Sequence, residues 1–107
     1  MDTLMERADK ILAEGIFLGG RPARFEIAGR TLFISLLSEG LLPGSKVLDI
    51  GCGCLRGGYW LIHFLEQGNY CGIEPNQDMV NAGLKYLFEP GRHQTALTAN
   101  RDKYIIS

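Results

Sequence analysis

Residues 47–58 read Val47-Leu48-Asp49-Ile50-Gly51-Cys52-Gly53-Cys54-Leu55-Arg56-Gly57-Gly58, an apolar run that leads into a glycine-rich turn. Further along the chain, residues 72–76 read Gly72-Ile73-Glu74-Pro75-Asn76, in which a carboxylate follows a second apolar segment. A short apolar run bounded by turn residues is typical of a parallel strand that is covered on both faces. These two pieces therefore predict a strand, a tight turn, a helix and a second strand, with Glu74 at the end of the second strand.

The size and composition of the chain are those of one ordinary globular domain. It has 107 residues, a formal net charge of -1, 46% hydrophobic residues and 21% charged residues. The balanced charge indicates neither nucleic acid nor an anionic membrane surface as a partner. No apolar run approaches the roughly 20 residues that cross a bilayer, and no secretory signal is visible at the start. The three cysteines are expected to be reduced thiols, which favours a cytoplasmic location.

Apolar residues at helical spacing predict further elements on both sides of the glycine turn. Upstream, they predict helices over about residues 2–14 and 23–38, the first with Leu4, Ala8, Ile11 and Leu12 on one face. Downstream, they predict helices over about residues 56–66 and 77–88, the second capped by Asn76, and strands over residues 70–74 and 104–106.

The predicted order of elements is two helices followed by β-α-β-α-β, which gives a single α/β domain over residues 1–107. Residues 1–44 form a helical lead-in and residues 45–107 form the sheet. Right-handed crossovers predict a partial, Rossmann-like parallel sheet with strand order 3-2-1. The first strand would then have an open outer edge, which is unusual for so apolar a strand. We therefore expect half of a larger fold, or a sheet edge completed by a second copy or a partner chain.

The glycine turn and the carboxylates beside it predict a nucleotide-cofactor site. Gly51 would allow the tight bend, and Gly53 would let a ligand lie against the backbone. A helix that begins near Arg56 would point its N-terminal N–H groups at that ligand. Glu74 stands where a ribose diol needs a hydrogen-bond acceptor. A strand-to-helix turn can need glycines for its geometry alone, but Asp49 before the turn and Glu74 after it favour cofactor binding.

The spacing of the glycines limits which cofactor this is. The dinucleotide fingerprint G-x-G-x-x-G is incomplete, because Arg56 occupies the position of its third glycine. No G-x-x-x-x-G-K-[ST] phosphate loop is present in the sequence. A carboxylate directly before the turn, Asp49, suits a positively charged ligand such as an ammonium or a sulfonium with its amino-acid tail.

At these residues the chain resembles a known superfamily. Leu48-Asp49-Ile50-Gly51-Cys52-Gly53 resembles motif I of the class I S-adenosylmethionine (SAM)-dependent methyltransferases, and Gly72-Ile73-Glu74 resembles their acidic motif II. The resemblance extends over about residues 22–90. It implies that Asp49, Gly51 and Gly53 line the methionine part of SAM, that Glu74 binds both ribose hydroxyls and that Pro75 packs beside the adenine. The candidate cofactor-binding residues are Asp49, Gly51, Cys52, Gly53, Arg56, Glu74 and Pro75.

The resemblance implies methyl transfer from SAM to an unidentified acceptor. The superfamily has a seven-stranded sheet, and this sequence stops about where the third strand starts, so the catalytic and acceptor-binding groups are expected to be missing from it. Two alternatives remain: a non-catalytic SAM-binding or interaction module, and a fragment of an NAD-binding dehydrogenase, which Arg56 disfavours.

Other chemistry-bearing residues give weaker signals. Cys54 follows the second glycine, where the superfamily often has a smaller residue, so it is expected to crowd the turn slightly. Cys52 and Cys54 with Cys71 a strand away do not have the ligand pattern of a zinc site. Arg56 suits either a ligand carboxylate or solvent. Two sets of residues are expected to serve packing or solvation: His63, His93, Tyr59 and Trp60, and the arginines Arg21, Arg24 and Arg30.

Overall fold

A computed structural model describes residues 2–88 of the chain. Within them, four helices pack against a two-stranded parallel sheet. The elements are α1 (Leu4–Ala13), α2 (Pro22–Ser38), β1 (Val47–Ile50), α3 (Gly58–Phe64), β2 (Tyr70–Ile73) and α4 (Gln77–Leu87). The predicted α/β class and the predicted order of these elements are confirmed. The strand predicted over residues 104–106 lies outside the described residues.

Side-chain caps fix where α1 and α4 begin. The Thr3 hydroxyl accepts a hydrogen bond from the Glu6 N–H at 3.1 Å, and the Glu6 carboxylate accepts one from the Thr3 N–H at 3.3 Å. This reciprocal pair satisfies two N–H groups that a helix start leaves without partners. At α4, the Asn76 Oδ1 accepts a hydrogen bond from the Met79 N–H at 3.3 Å, as its sequence position predicts.

The core lies between the helices and one face of the sheet. α1 packs on both α2 and α4, and the Arg7 Nη1 donates to the Leu87 carbonyl at 2.8 Å. The Lys85 ammonium of α4 and the carboxylate of Glu14, the C-cap of α1, add an exposed ion pair at 3.3 Å. Among the predicted inner residues of α1, Ala8 and Ile11 are fully buried. Leu12 is 47% exposed, so its predicted inward placement is wrong.

β1 and β2 are parallel neighbours, with Val47 opposite Tyr70 and Asp49 opposite Gly72. This pairing is the only part of the predicted order 3-2-1 that the described residues contain, so that order is not matched. The prediction that β1 is covered on both faces is wrong for residues 2–88. Leu48 is 58% exposed and Ile50 is 76% exposed, because the described helices pack on the opposite face of the strand.

The segment between β1 and α3 also differs from the prediction. α3 begins at Gly58 rather than near Arg56, because Leu55 has a φ of 65° and the chain turns there before the helix starts. A non-glycine residue with positive φ is uncommon. Leu55 is fully buried, and this burial offsets the cost of its conformation. Across residues 2–88, none of the helices has the length and apolar character needed to span a membrane.

Candidate functional site

The glycine turn is attached to the end of β2 by two backbone hydrogen bonds. The N–H groups of Gly51 and Cys52 both donate to the Ile73 carbonyl, at 2.7 and 3.1 Å. Gly51 has a φ of 76° and Gly53 a φ of 55°, values that glycine adopts without the steric cost other residues meet. A Cβ on Gly51 would meet no atom within 4 Å, so there is open space beside the turn.

The Glu74 carboxylate bridges the glycine turn and the start of α4. Its Oε1 accepts a hydrogen bond from the Gly53 N–H at 2.9 Å, and its Oε2 accepts one from the Asn76 N–H at 3.1 Å. Both donors are backbone groups, so the carboxylate is held in a fixed position at the carboxyl end of β2. Each carboxylate oxygen can accept a further hydrogen bond. The side chain therefore keeps acceptor capacity for a pair of hydroxyls.

The Asp49 carboxylate is held in a different way, by a side chain from the neighbouring strand. The Tyr70 hydroxyl donates a hydrogen bond to Asp49 Oδ2 at 2.8 Å. Tyr70 is 1% exposed, and burial raises the pKa of its phenol well above the ordinary value, with the nearby Asp49 charge adding to the effect. The phenol thus stays neutral and remains a donor. Asp49 itself is only partly buried.

Two glycines leave the room that the Tyr70 hydroxyl occupies. A Cβ on Gly58, at the start of α3, would lie 2.6 Å from the phenol oxygen. A Cβ on Gly72, in β2, would lie 3.0 Å from the same oxygen and 2.9 Å from the Cys52 Sγ. A Cβ on Gly58 would come too close to the phenol oxygen, and a Cβ on Gly72 would come too close to the Cys52 sulfur and make a tight contact with the phenol oxygen, so glycine at both positions leaves room for the hydroxyl.

The two cysteines of the turn are buried thiols. Burial raises the pKa of Cys52 to about 11, and the Asp49 and Glu74 charges add to this. Burial also raises the pKa of Cys54 to about 11, with Glu74 adding. The Cys54 thiol turns inward and donates to the Phe17 carbonyl at 3.4 Å, so it does not crowd the turn. None of the three cysteines, all of which the structure describes, forms a disulfide.

Arg56 and Pro75 are exposed, and within residues 2–88 the Arg56 guanidinium forms no ion pair. The predicted start of α3 near Arg56 is two residues early, because the helix starts at Gly58 and has 7 residues. That its N–H groups face a ligand stays a prediction. Arg56 therefore belongs to the turn before the helix.

The remaining residues of interest are engaged in packing or surface ion pairs. The Tyr59 ring packs on Trp60 and Phe88, and the His63 ring stacks on Phe88 with its Nδ1 2.7 Å from the Tyr59 carbonyl. On α2, Arg30 pairs with Glu26 at 3.0 Å. His93 lies outside the described residues. Within residues 2–88, no three His, Cys, Asp or Glu side chains come together in a group that could hold a metal ion.

The site therefore joins two carboxylates at the carboxyl ends of the two strands. Asp49 lies near the end of β1 and Glu74 follows β2, and both charges act on Cys52 between them. Neither carboxylate takes part in an ion pair within residues 2–88. The space beside Gly51 is open. The site therefore offers two negatively charged hydrogen-bond acceptors and an open space beside the turn.

Two residues have a part in the site that the sequence does not predict. The sequence predicts Tyr70 as the start of β2 but not as the partner of Asp49. The signal is the parallel register, which puts Tyr70 and Asp49 on one face of the sheet, together with a glycine at position 72 that leaves the phenol room. Asn76 is predicted as a helix cap, but its backbone N–H also holds Glu74.

No protein-family model matches the chain, and no curated protein or solved structure compared with it is similar enough to count as a match.

Proposed function

We propose that this chain binds SAM, as the cofactor-binding part of a methyltransferase with a Rossmann-like sheet. The observation that carries the proposal is the Glu74 carboxylate, which two backbone N–H groups hold at the end of β2 while both of its oxygens keep acceptor capacity. Asp49 on the adjacent strand supplies the second charge that such a ligand needs.

Different residues of the site bind different parts of the ligand. Glu74 accepts hydrogen bonds from the two ribose hydroxyls, and the exposed Pro75 next to it packs beside the adenine. Asp49 receives the ammonium of the amino-acid end, and the backbone of Gly51 and Gly53 lies along the chain between the two ends. The open space beside Gly51 supports this placement, since a ligand there meets no side chain of the turn.

SAM brings a methyl group already activated on a sulfonium, so the protein chiefly has to position the acceptor in line with it. No residue of this chain is assigned to acceptor binding. We propose that those groups, and the cover for the open edge of β1, come from polypeptide outside residues 2–88, from a second copy or from a partner chain.

The test is calorimetric titration of the chain with SAM, with NAD as the competing ligand. We expect SAM to bind and NAD not to bind. Glu74→Gln is the informative variant, because its amide keeps one acceptor oxygen for the Gly53 N–H and loses the other. We expect it to weaken SAM binding by about 1.5–3 kcal/mol, the value of hydrogen bonds to a charged group.

Glu66→Gln is the matched control, since Glu66 is an exposed carboxylate beyond the end of α3. It should bind SAM as the wild type does. Binding of NAD in place of SAM would support the dehydrogenase alternative. A folded wild-type chain that binds neither ligand would contradict the proposal. If SAM binds, release of the demethylated product with a panel of acceptors separates an enzyme from a non-catalytic binding module.

A further inference from the structure

The Tyr70 hydroxyl is buried and hydrogen-bonded to Asp49. The residue is 1% exposed, its oxygen donates to Asp49 Oδ2 at 2.8 Å, and the backbone at Gly58 and Gly72 closes on that oxygen from two sides. A hydroxyl enclosed in this way can hold its acceptor in one orientation. The two glycines make room for it, since alanine at Gly58 would collide with the phenol oxygen and alanine at Gly72 would collide with the Cys52 sulfur and crowd that oxygen.

The hydrogen bond uses one oxygen of the Asp49 carboxylate and leaves the other. Within residues 2–88, no donor reaches Asp49 Oδ1. Asp49 is partly exposed, whereas Tyr70 is buried beneath it. The carboxylate is therefore fixed from the protein side, and the oxygen that remains can meet a ligand. Because the phenol stays neutral, it remains a hydrogen-bond donor to the carboxylate.

We propose that Tyr70 is a positioning residue for the amino-acid end of the ligand, which it serves by orienting the Asp49 carboxylate toward the ligand's ammonium. This inference rests on the proposed function. It adds a buried residue that does not touch the ligand but decides how well one half of the ligand is held. Support of this kind, in which a buried hydrogen bond fixes a binding side chain, is what a precise site requires.

The other half of the ligand depends on different contacts. Glu74 is held by the N–H groups of Gly53 and Asn76 and makes no hydrogen bond to Tyr70. Loss of the Tyr70 hydroxyl should therefore disturb the Asp49 end of the site and leave the Glu74 end unchanged. This separation allows the proposal to be tested with two ligands that differ only in the end that Asp49 receives.

The test compares S-adenosylhomocysteine, which carries the amino-acid end, with 5′-methylthioadenosine, which has the same adenosine and thioether but no amino-acid end. Calorimetric titrations use the wild type, Tyr70→Phe and the control Tyr59→Phe, whose ring packs on Trp60 and Phe88. We expect Tyr70→Phe to bind S-adenosylhomocysteine about tenfold more weakly, as befits a lost hydrogen bond to a charged group. Its affinity for 5′-methylthioadenosine should stay within about twofold of the wild type, a difference below 0.5 kcal/mol or so.

Asp49→Asn serves as a second variant, so that the test does not depend on the folding of Tyr70→Phe alone. Its amide keeps an acceptor oxygen for Tyr70 but loses the charge, and it should show the same selective loss. When Tyr70→Phe is combined with Asp49→Asn, the affinity for S-adenosylhomocysteine should fall little further, because coupled residues act as one unit. A Tyr70→Phe variant that binds both ligands like the wild type, or weakens both equally, would overturn the proposal while the proposed function stands. A wild type that binds neither ligand would overturn both.

Discussion

Glu74 joins two parts of the fold through a single side chain, the one to which we assign the ribose hydroxyls in the proposed function. Its two hydrogen bonds connect the Gly53 N–H of the turn with the Asn76 N–H at the start of α4. Both donors are backbone groups, so the carboxylate needs no other side chain to hold it in position. A group that needs no rearrangement on binding loses less conformational entropy than a mobile one.

The buried thiol of Cys54 should make the stability of the protein depend on pH in the alkaline range. Its pKa is about 11 in the folded protein against an ordinary value of 9.0, so above about pH 9 the unfolded chain releases a proton that the folded chain keeps. The contribution of the protonated Cys54 thiol to the free energy of unfolding is therefore complete below about pH 9. It is lost as the pH rises through the pKa of about 11 that the thiol has in the folded protein. Each such thiol contributes a slope of at most about 1.4 kcal/mol per pH unit.

The measurement is urea unfolding of the wild type and Cys54→Ala between pH 8 and about pH 11. The free energy of unfolding of Cys54→Ala should fall less steeply with pH in this range than that of the wild type. The lost packing of the thiol lowers the free energy of unfolding equally at every pH, so it does not change the slope. An unchanged slope in Cys54→Ala would contradict a buried, protonated thiol.

At the scale of elements, two helices press against the glycine turn through glycines of their own. A Cβ on Gly83 of α4 would lie 2.3 Å from the Cys54 carbonyl oxygen, and a Cβ on Gly29 of α2 would lie 2.3 Å from the Arg56 carbonyl oxygen. Both contacts are with backbone, which cannot rotate away. The turn is thus held between α2 and α4, and its conformation depends on helices far from it in sequence.

Gly83→Ala should destabilise the protein although alanine is the better helix former by about 1 kcal/mol. Overpacking against backbone costs about 1–3 kcal/mol in itself, and the added methyl group would also push α4 away from Cys54. Chemical denaturation followed by circular dichroism measures the effect. Asn81→Ala, at an exposed position of the same helix, is the control and should be neutral or stabilising. Equal stability of the two variants would show that α4 does not press on the turn.

The elements themselves were predictable, and their contacts less so. Helical spacing and the Asn76 cap predicted α4 to within a residue, since both signals are local. The start of α3 was predicted two residues early, because the positive φ of Leu55 is permitted by its burial and burial is not local. The Tyr70–Asp49 hydrogen bond joins residues 21 positions apart, and it needed the register of the two strands to be known.

At the scale of the whole molecule, the helices within residues 2–88 leave one side of β1 bare. Leu48 and Ile50 of β1 are more than half exposed, and the outer edge of β1 has no neighbour among residues 2–88. Apolar runs in a sequence show that a strand prefers burial but not which segment covers it. For this reason, the prediction of a strand covered on both faces was wrong for the described part of the chain.

This bare side should make the chain associate with itself, because exposed apolar edge strands pair with other strands. Sedimentation of the wild type should show a mass that rises with concentration. Ile50→Lys should shift the equilibrium toward the monomer, since a charge on an edge strand opposes such pairing. Leu42→Lys, at a position 65% exposed in the loop before β1, is the control. A wild type that stays strictly monomeric would count against pairing through β1.

The packing of α1 on α4 has a consequence for biosynthesis. The Arg7 side chain donates a hydrogen bond to the Leu87 carbonyl, 80 positions later in the chain. Ala8 and Ile11, on the same helix, are fully buried. A ribosome that adds about 5–20 residues per second takes about 4–16 seconds to make those intervening residues. During that interval the apolar face of α1 has emerged without its later partner. α1 can therefore pack on α2 early in synthesis but gains its contacts with α4 only after the intervening residues have been made.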